Sequence, residues 1–136
     1  MTPSGILESA LYVDDLDAAE AFYAEVMGLR QIAKVDGRHV FFACGEGVLL
    51  IFDAEQTIHP PKPDAKLPVP PHGTTGPGHL CFRATEAEIA DWTVRLEVHG
   101  VAIEADFEWP QGGRSIYFRD PAGNSLEIAN PKIWGL

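Results

Sequence analysis

The chain has 136 residues, 46% hydrophobic and 10% aromatic, which suits one globular domain with its own core and excludes disorder, collagen-like repeats and a long coiled coil. Ten Lys and Arg stand against 20 Asp and Glu, a net charge of −10, so phosphate backbones and anionic membrane surfaces repel it and nucleic acid is excluded as a partner. No apolar run approaches the ~20 residues that span a bilayer, and Met1–Gly5 lacks the basic and apolar regions of a secretion signal. Cys44 and Cys81 have neither metal-type nor redox-type spacing, so the expectation is a cytoplasmic protein with buried, reduced thiols.

An apolar strand pattern opens the chain from Ile6 to Val13. Asp15 then caps a helix whose apolar positions Leu16, Ala19, Phe22 and Val26 fall at helical spacing, and Gly28 ends it. Three strand patterns follow, near Leu29–Val35, His39–Cys44 and Val48–Phe52, the last two joined through Gly45-Glu46-Gly47. From Thr57 to Gly76 prolines and glycines are dense enough to block both helix and central strand, which predicts an extended surface connector. The series then starts again. Leu80–Ala84 reads as a strand, and Thr85 with Glu88 forms a capping box. The helix it opens buries Ile89, Trp92 and Leu96, and Gly100 ends it. Strand patterns near Val101–Glu104, Ser115–Arg119 and Ser125–Ala129 close the second series, the last pair joined by Asp120-Pro121-Ala122-Gly123-Asn124.

The pattern βαβββ therefore occurs twice. It predicts one α+β domain over 5–130: module 1 at about 5–53, a linker at about 54–76 and module 2 at about 77–130, with 131–136 as a C-terminal tail. Two tandem βαβββ modules make a curved mixed sheet with helices on the outer face and an open concave face, where function is expected. Strand alternation places Glu8, Ala10 and Tyr12 on that face in the first strand. His79, Cys81 and Arg83 face it in the matching strand of module 2, and Ser125, Glu127 and Ala129 in the last strand. Glu8 is the repeat counterpart of His79, and Leu50 that of Glu127. Alone, each carboxylate is a solvated side chain on an open face. Together, Glu8, His79 and Glu127 suit a divalent cation with positions left for water or substrate, because a carboxylate on an apolar strand is expensive unless paired or metal-bound.

Three segments carry a family resemblance. They are Leu11-Tyr12-Val13-Asp14-Asp15-Leu16 with Ala21-Phe22-Tyr23 through Gly28-Leu29, Gly76-Pro77-Gly78-His79-Leu80-Cys81-Phe82, and Phe118-Arg119-Asp120-Pro121-Ala122-Gly123-Asn124-Ser125-Leu126-Glu127. Together they resemble the vicinal oxygen chelate superfamily: glyoxalase I, fosfomycin-resistance proteins, methylmalonyl-CoA epimerase, extradiol dioxygenases and bleomycin-resistance proteins. The resemblance spans nearly the whole chain and implies metal positions at Glu8, Leu50, His79 and Glu127. His79 and Glu127 match outright, and Glu8 stands where many members have His. Leu50 cannot bind a metal, so the four-ligand site of glyoxalase I is not reproduced.

The resemblance implies one divalent metal ion (Mn, Fe, Zn or Ni), a small-molecule substrate that chelates it through oxygen, and a homodimer. Glu8, Glu127 and Tyr117 are the candidate catalytic side chains, with one glutamate serving as proton-shuttling base. The implied activity is that of a lyase or isomerase. An extradiol-type dioxygenase is an alternative, although Glu108-Trp109-Pro110 stands where those enzymes carry an acid–base His. The other is a metal-free, ligand-sequestering protein of the bleomycin-resistance type. Fosfomycin-type transfer needs a cationic pocket, to which Arg83, Arg114 and Arg119 are candidate contributors.

Overall fold

In a computed structural model that describes every residue from Met1 to Leu136, the chain divides into two compact units, Met1–Gly76 and Pro77–Leu136. The first contains β1 (Glu8–Val13), α1 (Leu16–Ala21), β2 (Arg30–Val35), β3 (His39–Cys44), β4 (Gly47–Asp53) and the one-turn α2 (Ala54–Thr57). Its sheet has the order β1-β4-β3-β2, with β1 parallel to β4 and the other pairs antiparallel. The second contains β5 (His79–Arg83), α3 (Glu86–Val98), β6 (Ala105–Glu108), β7 (Arg114–Arg119) and β8 (Ser125–Ala129), followed by a 3-10 turn at Pro131–Trp134. Its sheet repeats the topology as β5-β8-β7-β6, again with one parallel pair. This is the tandem βαβββ, α+β architecture read from the sequence.

The parallel pair in each unit explains the helix. Parallel strands cannot be joined by a tight turn, so the chain returns through a crossover that covers one sheet face. In the first unit Asp15 accepts a hydrogen bond from the Ala18 amide at 2.9 Å and starts α1. After Ala21 the helix widens into a π turn, Phe22–Val26, with the Met27 amide donating to the Phe22 carbonyl. Tyr23 is buried in the core beside Phe22 and Val26, on the same helical face as Leu16 and Ala19. In the second unit the Thr85–Glu88 capping box forms in both directions, and α3 buries Ile89 and Leu96 completely.

Two strand expectations are corrected. β1 begins at Glu8, and Ile6 and Leu7 are exposed, because its partner β4 begins only at Gly47 and the ladder starts at the pair Glu8↔Val48. The strand expected at Val101–Glu104 lies at Ala105–Glu108. Val101 and Ile103 instead line a surface cleft together with Thr93 and Glu97 of α3, and the Val101 amide donates to the Leu96 carbonyl. The hairpin register, Glu108↔Arg114 to Ala105↔Tyr117, then sets the strand later along the chain. The Arg114 guanidinium fastens it with a two-pronged bond to Asp106 at 2.8 and 2.7 Å.

Candidate metal centre

The second unit builds its site from a turn. Asp120, buried, accepts from the amides of Ala122 and Asn124 and from the Asn124 side-chain amide, closing the Asp-Pro-Ala-Gly-Asn loop. Gly123 takes φ of 86°, which a side chain there would resist. The Asn124 Oδ1 in turn accepts from the Gly78 amide at 2.7 Å, and the Ser125 amide donates to the Gly78 carbonyl. Both bonds clamp the residue directly before His79, so the turn that ends β7 also sets the start of β5.

His79 is oriented by this clamp. Its Nδ1–H donates to the Ser125 carbonyl at 3.0 Å. A carbonyl can only accept, so Nδ1 carries a proton and the ring points Nε2 the other way. That nitrogen lies 3.4 Å from Glu127 Oε2. The Glu127 side chain is only 6% exposed, and its Oε1 is buried with no hydrogen-bond partner. The buried Oε1 without a partner is costly as it stands, and a cation beside it would satisfy it. A backbone carbonyl holding the far nitrogen of the imidazole is the usual support of a metal-ligating His. The donor set of one imidazole and one carboxylate thus fits a divalent cation.

Two further side chains face Glu127. In the strand ladders Cys81 is opposite it on β5 and Tyr117 on β7. Burial, then the Glu127 carboxylate, push the Cys81 thiol up to about 12. The same two causes in the same order push the Tyr117 hydroxyl up to about 12. Both groups therefore stay protonated at neutral pH, and the thiol is no nucleophile. Cys81 is exposed by area and Cys44 only partly covered, which corrects the expectation of two buried thiols. The Tyr117 ring lies between His79 (centroids 6.2 Å) and Phe107 (5.8 Å), nearly parallel to both. Trp109 extends the row against Phe107 and donates from Nε1 to Ser115 Oγ at 2.8 Å. Phe107 escaped the sequence reading because its strand was placed earlier; the alternation Ala105, Phe107, Trp109 was the available signal.

The structure thus brings together His79, Glu127 and Tyr117. Glu8 stands exposed in the first unit, at the head of β1, opposite Val48. No group of three His, Cys, Asp or Glu side chains able to hold a metal is assembled within the chain. The first sheet shows what the repeat-related positions became: Leu50 pairs with Ala10 and Phe41, as Glu127 pairs with Cys81 and Tyr117. Aromatic rings fill that face, with His39 stacked on Phe41 at 4.1 Å and Phe52 against both. From the connector, His72 packs on Phe52 and its Nδ1 is 2.7 Å from the Tyr12 hydroxyl.

A model of the family described as the Glyoxalase/Bleomycin resistance protein/Dioxygenase superfamily matches residues 5–128. The chain is 31% identical over 122 residues to glutathione transferase FosA of Serratia marcescens, covering 87% of this chain and 74% of that protein. The crystal structure of lactoylglutathione lyase from Agrobacterium tumefaciens superposes with a TM-score of 0.92 at 47% identity, covering 100% of both chains. The fosfomycin resistance protein FosX from Listeria monocytogenes shares the fold alone: TM-score 0.68, 22% identity, 95% of this chain and 94% of that one.

Proposed function

Because this chain belongs to the Glyoxalase/Bleomycin resistance protein/Dioxygenase superfamily, we propose that it is a divalent-metal-dependent lyase or isomerase acting on a small metabolite that chelates through oxygen. The observation that carries the reading is the buried Glu127 carboxylate, with Oε1 unpartnered and Oε2 3.4 Å from Nε2 of an oriented His79. His79, Glu127 and Glu8 are the proposed ligands of one Mn, Fe, Zn or Ni ion. Such an ion stabilises negative charge that develops on substrate oxygens.

The remaining roles belong to the side chains. His79 and Glu127 are held by the turn and the sheet, so they keep their positions through the reaction. Glu8 is exposed and free to leave its place, which makes it the proton-shuttling base at its carboxylate. Tyr117 keeps its hydroxyl proton and donates a hydrogen bond to a substrate oxygen. Phe107 stacks on the Tyr117 ring, and Trp109 packs on Phe107. We read the chain as one domain over 5–130 working as a cytoplasmic homodimer. The lactoylglutathione lyase likeness favours the lyase assignment. A second reading, group transfer to fosfomycin, is favoured by the FosA likeness and is checked by assaying glutathione consumption with that antibiotic.

The test is metal content by plasma mass spectrometry on protein purified without chelator or nickel resin, beside Glu127→Ala, with lactoylglutathione formation assayed on both. We expect near one ion per chain in the wild type and loss of ion and activity in the variant. A wild type that stays empty after incubation with all four ions overturns the metal reading in favour of ligand sequestration.

A further inference from the structure

The end of the chain builds a second feature beside the metal pair. The Asn130 amide donates to the Arg114 carbonyl and the Gln111 side chain to the Ile133 carbonyl. Gly113, at φ 91°, makes room for Ile133, whose Cγ2 a Cβ at that position would meet at 2.7 Å. The 3-10 turn at Pro131–Trp134 is thereby seated against the sheet. Between it and β5 lies a cleft of about 240 Å³, walled by Cys81, Arg83, Ala129, Pro131, Ile133 and Trp134. A drug-sized ligand needs about 300 Å³ or more, so this cleft takes a small group or one arm of a larger ligand.

Its position relates it to the proposed centre. The cleft starts at Cys81, which is opposite Glu127 in the β5–β8 ladder, and continues to the rung Arg83↔Ala129 two residues on. Two residues of strand are about 6.6 Å, the span of a short carbon chain. The charge is equally particular. Arg119 is bound to Glu104 and Arg114 to Asp106, whereas Arg83 makes no ion pair, hydrogen bond or ring contact. In a chain of net charge −10 an uncommitted guanidinium lining a cleft is the one place there where an anion is welcome. Its planar fork matches a carboxylate. The other walls are largely apolar, and Trp134 presents an indole that is 79% exposed.

We propose that this cleft binds an aliphatic carboxylate, with the carboxylate on Arg83 and the carbon chain along Ala129, Ile133 and Trp134. Joined to the metal reading, on which only this step rests, the substrate is an oxygen-chelating compound carrying a short carboxylate-ended arm. The test uses the full chain freed of metal with EDTA, titrated with hexanoate and with 1-hexanol by calorimetry and by tryptophan fluorescence. Wild type is expected to bind hexanoate about tenfold more tightly than the alcohol, the scale of a charge-assisted bond. Arg83→Gln removes that preference, Arg83→Lys restores most of it, and Trp134→Phe abolishes the fluorescence change while calorimetric binding persists. Glu127→Gln keeps hexanoate binding, so failure of the metal centre and failure of this cleft are read separately. Hexanoate binding no tighter than hexanol, or unchanged in Arg83→Gln, overturns the proposal.

Discussion

Position 127 and its repeat counterpart, position 50, show how one side chain divides the labour between the two sheets. Leu50 is buried against Phe41, and no donor remains there; Glu127 is equally buried, yet keeps an oxygen without a partner. Strand parity made His79, Glu127 and Cys81 legible as neighbours, because residues two apart share a face. The Ser125 carbonyl that orients His79 was not legible, since a backbone acceptor leaves no mark in residue identity. Tyr117 is the residue whose role is easiest to isolate. Tyr117→Phe keeps the ring between His79 and Phe107 and removes only the hydroxyl. We expect unchanged metal content and kcat lowered about 10²-fold, measured by steady-state kinetics beside metal analysis. A fall in metal content would instead make Tyr117 a support of the ligands.

At the scale of elements, the turn and the cap carry the argument. Asn124 is buried and connects the buried Asp120 to the half-buried Gly78 amide, so Asn124→Ala removes one hydrogen bond to that carboxylate and the one from that amide. We expect a loss of about 2 kcal/mol in denaturant unfolding, with weaker metal binding because Gly78 precedes His79. Thr85→Ala removes the first half of the capping box and should cost about 1 kcal/mol. The bonds from Thr85 hold the Glu88 carboxyl below its ordinary value. A lowered folded-state pKa means the ion is favoured in the folded chain. This contribution is therefore present above the unfolded value of about 4.3 and is lost as the pH falls through the lowered folded value. Glu88→Gln should flatten the acid limb of the stability curve, followed by circular dichroism; an unchanged limb would show the box contributes nothing there. α1 and α3 could be read from their caps, since capping is local chemistry, whereas the one-turn α2 lies where a linker was expected. The π turn at Phe22–Val26 and the late start of β6 could not. Each is decided by what the segment packs against, Tyr23 in the core in one case and the β7 register in the other.

For the whole molecule, the duplicated topology offers two equivalent faces, and the chain equips them differently. One holds the imidazole, the carboxylate and the phenol, while the other is filled by His39, Phe41 and Phe52 with His72 from the connector. Leu50→Glu tests whether that filling is structural. A carboxylate placed among those rings should lower stability by several kcal/mol, read as a fall in Tm, without raising metal content above one ion per chain. A stable variant with a second ion would show the two faces to be interchangeable. The repeat, the fold class, the family and the candidate donors followed from the sequence alone, because hydrophobic period, turn residues and caps are properties of short segments. The tertiary structure alone decided that Glu127 keeps an unpartnered oxygen, that His79 presents Nε2 to it, and that Arg83 stays uncommitted while Arg114 and Arg119 are paired. Those outcomes depend on which atoms meet across strands far apart in the chain, and pairing and burial are properties of that meeting rather than of any residue by itself.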